Sequence, residues 1–388
     1  KAGCEMTDLK QITSQSFRAQ SRQFYLLLGL TILTVLFGLA MVASASAVDS
    51  FKETANAGST FLRQGLFAII GMALMFIVAS LPIGLFRRTS LVALYITLGL
   101  QLVTVFFGVE INGNRNWLDI GFTNIQPSEF LKLGLILAFA NQLAQLTDDP
   151  LRNRKIWFRV FMFSVGALAL VAVLGKDLGT GVVMAVTLIG LFLIAGMPWA
   201  YFLVIALAGV VAAFGLVMIS PSRLIRFSAW LNPGAADPMG VMWQYEKGTW
   251  ALASGGIWGT GLGRSKLKWS WIPEVENDFI FAVIGEELGL IGALFVVLLF
   301  FALGLTMFSI AKHQNNAFSR NLVVGVMLWV VLQAFINISV VLGLLPVLGV
   351  PLPLISAGGS SLIATLAGIG VVLAVERDRT LKLGRSNG

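Results

Sequence analysis

The sequence predicts an all-α integral membrane protein of about ten transmembrane helices. Both termini are expected on the cytoplasmic side, with one large extracytoplasmic loop between the seventh and eighth helices. Three observations carry this. Of 388 residues, 57% are hydrophobic and only 12% charged, where a soluble domain is nearer a quarter charged. Apolar runs of spanning length recur along the chain. Lys and Arg gather in alternate connections.

The apolar runs fall at about 24–47, 65–83, 90–108, 128–146, 157–174, 179–196, 199–219, 279–311, 322–344 and 354–375. Residues 1–23 are polar and lack an apolar core, so they are expected to be a cytoplasmic segment rather than a cleavable signal peptide. Residues 24–376 form the membrane domain, with the outer loop at about 220–278, and 377–388 form a cytoplasmic tail. Only GKDLG and GMPWA separate the fifth, sixth and seventh runs. The run from Asp278 to Ala311 is too long for one straight crossing, which predicts tilt or an extension beyond the bilayer.

Orientation follows the cations. Lys1, Lys10, Arg18 and Arg22 precede the first span, Arg87 and Arg88 the third, and Arg152, Arg154, Lys155 and Arg159 the fifth; Lys312, Arg320, Arg377, Arg379, Lys382 and Arg385 complete the same face. That face is read as cytoplasmic. The opposite face holds Lys52, Arg63, Arg115 and Lys176, together with Arg223, Arg226, Lys247, Arg264, Lys266 and Lys268 of the large loop. Those six cations stand beside Trp230, Trp243, Trp250, Trp258, Trp269 and Trp271. The mixture suits a surface resting on lipid headgroups, and it also suits an anionic, pyrophosphate-bearing ligand.

Composition narrows the chemistry. One cysteine, Cys4, excludes an internal disulfide, and one histidine, His313, leaves no His/Cys set for zinc. No resident metal is assigned. A divalent cation such as magnesium or manganese is left open, since it would sit on carboxylates and phosphates. The net charge of +8 is distributed by topology, and no nucleic-acid partner is expected.

Charged residues inside spans are costly and are candidates for function. The stretch IPEVENDFIFAVIGEE, 272–287, gathers Glu274, Glu276 and Asp278 at the start of the eighth span, with Glu286 and Glu287 inside it. Asp278 has two readings, a cap of the helix N-terminus or a partly desolvated general base. Glu286 and Glu287 lie about 12 Å further along a helix and point about 100° apart, which favours a supporting role. In NGNRNWLDIGFTNIQPSEF, 112–130, a turn-rich loop offers Arg115 and Trp117 to a ligand. Its end reads as a helix start, with Gln126 or Ser128 supplying capping oxygens, and Glu129 and Lys132 spaced to neutralise each other. GKDLGTG, 175–181, places Lys176 and Asp177 in a tight outer turn that could cradle an anion. PLPLISAGGSS, 351–361, breaks the approach to the last span, where Gly358, Gly359, Ser360 and Ser361 could turn helix-start donors into a cavity. Broken elements of this kind also occur in transporters.

Five motifs then become specific together: PEVENDFIFAVIGEELGLIG (273–292), NRNWLDIGFTNIQPSE (114–129), GKDLGTG, WQ…ALASGGIWGTGLG (243–263) and LPLISAGGSS (352–361). In this order they resemble the SEDS family of cell-wall polymerases, over residues of about 24 to 376. MVASASA and LPLISAGGSS look more like the division member of that family than the elongation member.

The resemblance implies a ten-span peptidoglycan glycosyltransferase of the bacterial cell membrane, acting at the division septum. It would polymerise lipid II onto an undecaprenyl-pyrophosphate-linked glycan at the outer face. Expected partners are a class B penicillin-binding protein, other proteins of the division machinery and membrane lipids. The family's essential aspartate matches Asp278, and its loop tryptophan matches Trp117. An α-linked donor and a β-1,4 product require one inverting displacement, one base and positive charge for the leaving pyrophosphate. Asp278 is the expected base. Arg115, Trp117, Gln126, Lys176, Asp177, Gln244, Arg264, Ser356, Gly358, Gly359 and Ser360 are the expected substrate contacts, and Glu129, Lys132, Glu286 and Glu287 the expected supports. The chain departs from the family pattern at Glu276 (often His), Asn277 (often Thr), Leu348 (Lys in several) and Ala357 (commonly Tyr). The alternatives are a lipid II flippase, which needs no base, and a non-catalytic scaffold.

Overall fold

The first spanning helix begins where Ser21 caps it, the Ser21 Oγ accepting from the Phe24 N–H at 3.1 Å. In the computed structural model, which describes residues 20–111, 114–121, 123–232, 241–266 and 275–386, this is α1 (Arg22–Ala45). A short α2 (Ala47–Thr54) leads to α3 (Ser59–Ser80) and α4 (Ile83–Phe107). Pro127 opens α5 (Pro127–Leu143), where its missing N–H costs nothing. Next come α6 (Pro150–Leu168), α7 (Leu178–Ile194) and α8 (Trp199–Ile219). The large loop folds in part into α9 (Pro221–Leu231) and α10 (Val241–Gly255). The chain ends in α11 (Ile280–Lys312), α12 (Ala317–Val341) and α13 (Gly359–Ser386).

Among the described residues, eight helices are long and apolar enough to cross a membrane. The fourth and sixth predicted runs fall on α5 and α7, each of 17 residues. Helix α5 carries the buried Glu129 and Lys132, and neither α5 nor α7 is among the eight. The loop expected between the third and fourth runs is instead a small antiparallel sheet in the order β1 (Val109–Ile111), β2 (Asn114–Asp119), β3 (Asn124–Ile125). Turn residues marked the reversals but hid the strands between them.

The core lies around α11, α12 and α13, and most of the apolar part of α13 is buried. Helix α8 has no buried residue, so its apolar surface faces outward all round, as a lipid-facing helix does. Gly38 of α1 lets the chain approach the 354–355 backbone; a Cβ there would lie 2.6 Å from Ile355 Cα.

The long apolar run at 280–312 is interrupted. Gly289, with φ 69° and ψ −164°, occupies a region open essentially to glycine alone. Residues 256–261 take up peptide groups freed by the break. Thr260 N and Gly261 N donate to the carbonyls of Glu286 and Glu287 at 2.9 and 3.0 Å, and Leu290 N donates to Gly256 O at 2.9 Å. Gly289→Ala combines backbone strain of about 1–3 kcal/mol with a Cβ placed 2.4 Å from Gly259 N and Ile257 O. A clear fall in the detergent-solubilised melting temperature is expected, and an unchanged transition would contradict this reading of the break.

Candidate functional site

Asp278 lies in a turn just before α11 and is partly buried. It lines a cavity of about 460 Å³ with Asn114, Trp117, Gln126, Asp177, Arg226, Gly358, Ser360 and Ser361 among others. Strand β2, the turn ahead of α7, helix α9 and the start of α13 therefore share one cavity with this carboxylate. The position that caps α11 falls on Phe279, which makes no side-chain cap bond.

Three consecutive carbonyls fix the Asp278 backbone. Glu276 O accepts from Ala357 N at 3.0 Å, Asn277 O from Ser356 Oγ at 2.5 Å, and Asp278 O from Asn337 Nδ2 at 2.9 Å. Ser356 is buried and acts through Asn277 rather than lining the cavity. The segment 346–358 that supplies these donors is non-helical. Its Leu354 adopts a left-handed φ of 65°, which costs about 1–3 kcal/mol and persists only where surroundings enforce it.

A second cavity, about 560 Å³, shares Asn114, Asp177, Arg226, Val347 and Leu348 with the first and adds Glu110, Lys176, Arg223 and Phe227. Its shape depends on a π-helical segment, Ala169–Leu174, that continues α6. The wide turn lets Gly175 N reach Leu170 O at 2.9 Å and Asp177 N reach Val171 O at 3.0 Å, and such segments mark functional sites often. Asp177 caps α7: its carboxylate accepts from Thr180 N at 2.9 Å and Thr180 Oγ1 at 2.7 Å. Gln126 Nε2 donates to the same group at 3.1 Å. Burial pushes the Asp177 carboxyl above its usual range, against the lowering effect of the Thr180 bonds. Arg223 Nη2 donates to Lys176 O at 2.6 Å, joining α9 to this turn. Burial also lowers the Arg223 pKa.

The second cavity shares Ala172, Val173, Leu178 and Leu216 with an apolar groove of about 410 Å³ between α6, α7 and α8. Polar pocket, cationic vestibule and apolar groove thus run into one another.

The cavities collect Trp117, Gln126, Lys176, Asp177, Asp278, Gly358 and Ser360 of the expected site. Arg115 is exposed and lines neither cavity; its guanidinium lies 3.8 Å from Glu110, which also lies 3.9 Å from Lys176 Nζ. Arg264 is exposed, away from both linings. Gly359 opens α13 and packs against the Phe67 ring instead of lining the cavity. Gln244 lies on α10, with its side chain outside the described residues, as do Lys268, Trp269, Trp271 and Glu274. Neither Gln126 nor Ser128 caps α5: the Gln126 side chain turns to Asp177, and Ser128 Oγ is buried without a partner. Arg226 was legible only as one of six loop cations, and Glu110 and Asn337 carried no sequence signal strong enough to single them out.

Beneath the cavity, Lys132 Nζ donates to Glu129 Oε1 and Gln333 Oε1, each at 2.8 Å, with both charged groups almost fully buried. Glu286 and Glu287 fasten the segment that carries Ser265 and Lys266. Ser265 Oγ and Lys266 N donate to Glu286 at 2.5 and 2.9 Å, while Ser44 Oγ donates to Glu287 at 2.6 Å. These two carboxylates lock the loop onto α1 and the broken helix, and neither lines the cavity.

Among the described residues no group of three or more His, Cys, Asp or Glu gathers to hold a metal. Asp177 and Asp278 are the two carboxylates of the first cavity, and both Asp177 oxygens already accept hydrogen bonds. A divalent cation there would need phosphate oxygens of a ligand to complete its shell.

A family model described as a cell cycle protein, FtsW/RodA/SpoVE, matches residues 24–381. The chain is 39% identical over 356 residues to the probable peptidoglycan glycosyltransferase FtsW of Mycobacterium tuberculosis, covering 91% of this chain and 68% of that one. It is 38% identical to the stage V sporulation protein E of Bacillus subtilis, over 91% of this chain and 96% of that protein. The fold matches a chain of a peptidoglycan synthase complex that coordinates polymerization and crosslinking, with a TM-score of 0.76, 28% identity, and coverage of 94% and 99%. It also matches the rod shape determining protein RodA of Thermus thermophilus, with a TM-score of 0.70, 26% identity and the same coverage. The chain belongs to the FtsW/RodA/SpoVE family.

Proposed function

We propose that the chain is a peptidoglycan glycosyltransferase that polymerises lipid II at the outer face of the cytoplasmic membrane, as an inverting enzyme with Asp278 as its base. The observation that carries this reading is the continuity of the site. A partly buried carboxylate shares a cavity with Trp117 and Arg226, and that cavity runs through a vestibule holding Lys176 and Arg223 into an apolar groove. This order of surfaces matches a sugar, a pyrophosphate and an isoprenoid tail in one molecule.

In the proposed reaction the acceptor 4-hydroxyl oxygen attacks the anomeric carbon of the donor sugar. The bond from that carbon to the pyrophosphate oxygen breaks as the new bond forms on the opposite face, giving a β-1,4 linkage. The hydroxyl proton passes to the Asp278 carboxylate, and the pyrophosphate leaves with its charge. Arg226, Arg223 and Lys176 are the cations that would stabilise it. Trp117 offers a flat apolar face to a sugar ring. A divalent cation, if bound, would supply further charge neutralisation at the pyrophosphate.

The septal role and a class B penicillin-binding partner are part of the same proposal. They are supported by the relatives named FtsW and by the structural match to a synthase complex. The test is polymerisation by the purified chain with such a partner. Arg226→Ala should raise KM for lipid II about 10–100-fold, the range of a lost charge-assisted bond. An unchanged KM together with an unchanged kcat would remove Arg226 from the site.

A further inference from the structure

We infer that Asn337 of α12 is a positioning residue for Asp278, an inference that rests on the reading of Asp278 as the base. Its amide nitrogen donates to two carbonyls from different parts of the chain, Asp278 O at 2.9 Å and Val350 O at 2.7 Å. Both neighbours are acceptors, so the amino end of the side chain must face them. One side chain, 1% exposed, therefore clamps the turn that carries the base to the non-helical segment that forms the opposite wall.

Two further bonds to the turn come from a non-helical segment. Ala357 N and Ser356 Oγ come from the 346–358 segment, whose own shape is strained at Leu354. Asn337 ties Asp278 directly to a helix other than the one it precedes. One helical turn earlier on the same face, Gln333 Nε2 donates to Pro351 O at 3.1 Å. The Gln333 Oε1 is itself fixed by Lys132 Nζ at 2.8 Å and Trp329 Nε1 at 2.9 Å. Unwound backbone at membrane depth persists only where protein groups satisfy it. The two amides do that for consecutive carbonyls, and Asn337 alone of the pair extends the hold to Asp278. The amide is suited to this because it offers two N–H groups in one plane, which a hydroxyl does not.

A purely structural amide and a positioning amide differ in what its loss changes. Gln64 is the control: its Nε2 donates to Ser356 O at 3.1 Å within the same wall, also buried, without touching the Asp278 carbonyl. Asn337→Leu and Gln64→Leu should lower the melting temperature comparably. Only Asn337→Leu should lower kcat for lipid II polymerisation, by about 10²-fold, the effect of misplacing a reacting group by about 1 Å, with KM within about twofold of wild type. Should Asn337→Leu fail to fold, Asn337→Ser, which keeps one donor, is expected to lose about tenfold in kcat under the same criteria. Equal kcat losses in the Asn337 and Gln64 variants, or a loss confined to KM, would overturn the inference. Asp278→Asn in the same assay separates the two claims. If that variant is inactive while the Asn337 variant keeps wild-type kcat, the clamp fails and the base stands; if Asp278→Asn is fully active, the underlying reading fails.

Discussion

Asp278→Asn lowers kcat for glycan polymerisation by about 10²–10⁴-fold, the range a positioned general base contributes, and changes KM by no more than a few-fold. Asparagine keeps the size of the side chain and leaves the backbone bonds to Ser356, Ala357 and Asn337 in place. It removes the negative charge and with it the ability to take a proton. Steady-state kinetics on lipid II with the partner present separates the two parameters. Full activity would return the carboxylate to a structural role, and a rise in KM alone would make Asp278 a binding group.

Lys132→Met destabilises the fold by about 3–5 kcal/mol, because it strands the Glu129 charge in a site where both partners are nearly inaccessible. Glu129 Oε2 already has no hydrogen-bond partner, so little remains to compensate. The double variant Glu129→Gln/Lys132→Met removes both charges and is expected to recover most of the loss. Thermal unfolding of the four proteins in detergent reads this cycle. Single and double variants that unfold alike would mean that the pair is screened, against its burial. Since Lys132 also anchors Gln333, the single variant should lose polymerase activity beyond what its stability explains.

Much of the architecture was legible because its cause is local. Apolar length gives spans, and the observed helices fall within a few residues of the expected runs at α1, α7, α8 and α11. Helix α3 begins earlier than its apolar core, at Ser59, since polar residues can begin a helix before it becomes apolar. The break at Gly289 was hidden because a glycine within an apolar run reads as an ordinary helical residue. What decides it is the backbone of 256–261, brought against it by folding.

The site divides in the same way. Motif order pointed to Asp278, Trp117, Gln126 and Asp177, which the structure gathers at one cavity. Arg115 and Arg264 looked equally eligible, because sequence gives the charge of a side chain without its direction. Asn337 and Gln333 sit in an unremarkable apolar span, and only the carbonyls they meet across the chain reveal a purpose for them.

The most direct test of the account places the purified chain, a class B penicillin-binding protein and fluorescent lipid II in sealed vesicles and follows bond formation and lipid movement in the same sample. The account predicts β-1,4-linked glycan strands from the wild-type chain and none above background from Asp278→Asn. Lipid II that crosses the bilayer with no polymer, at the same rate in both proteins, would contradict it and make the cavity a passage rather than an active site.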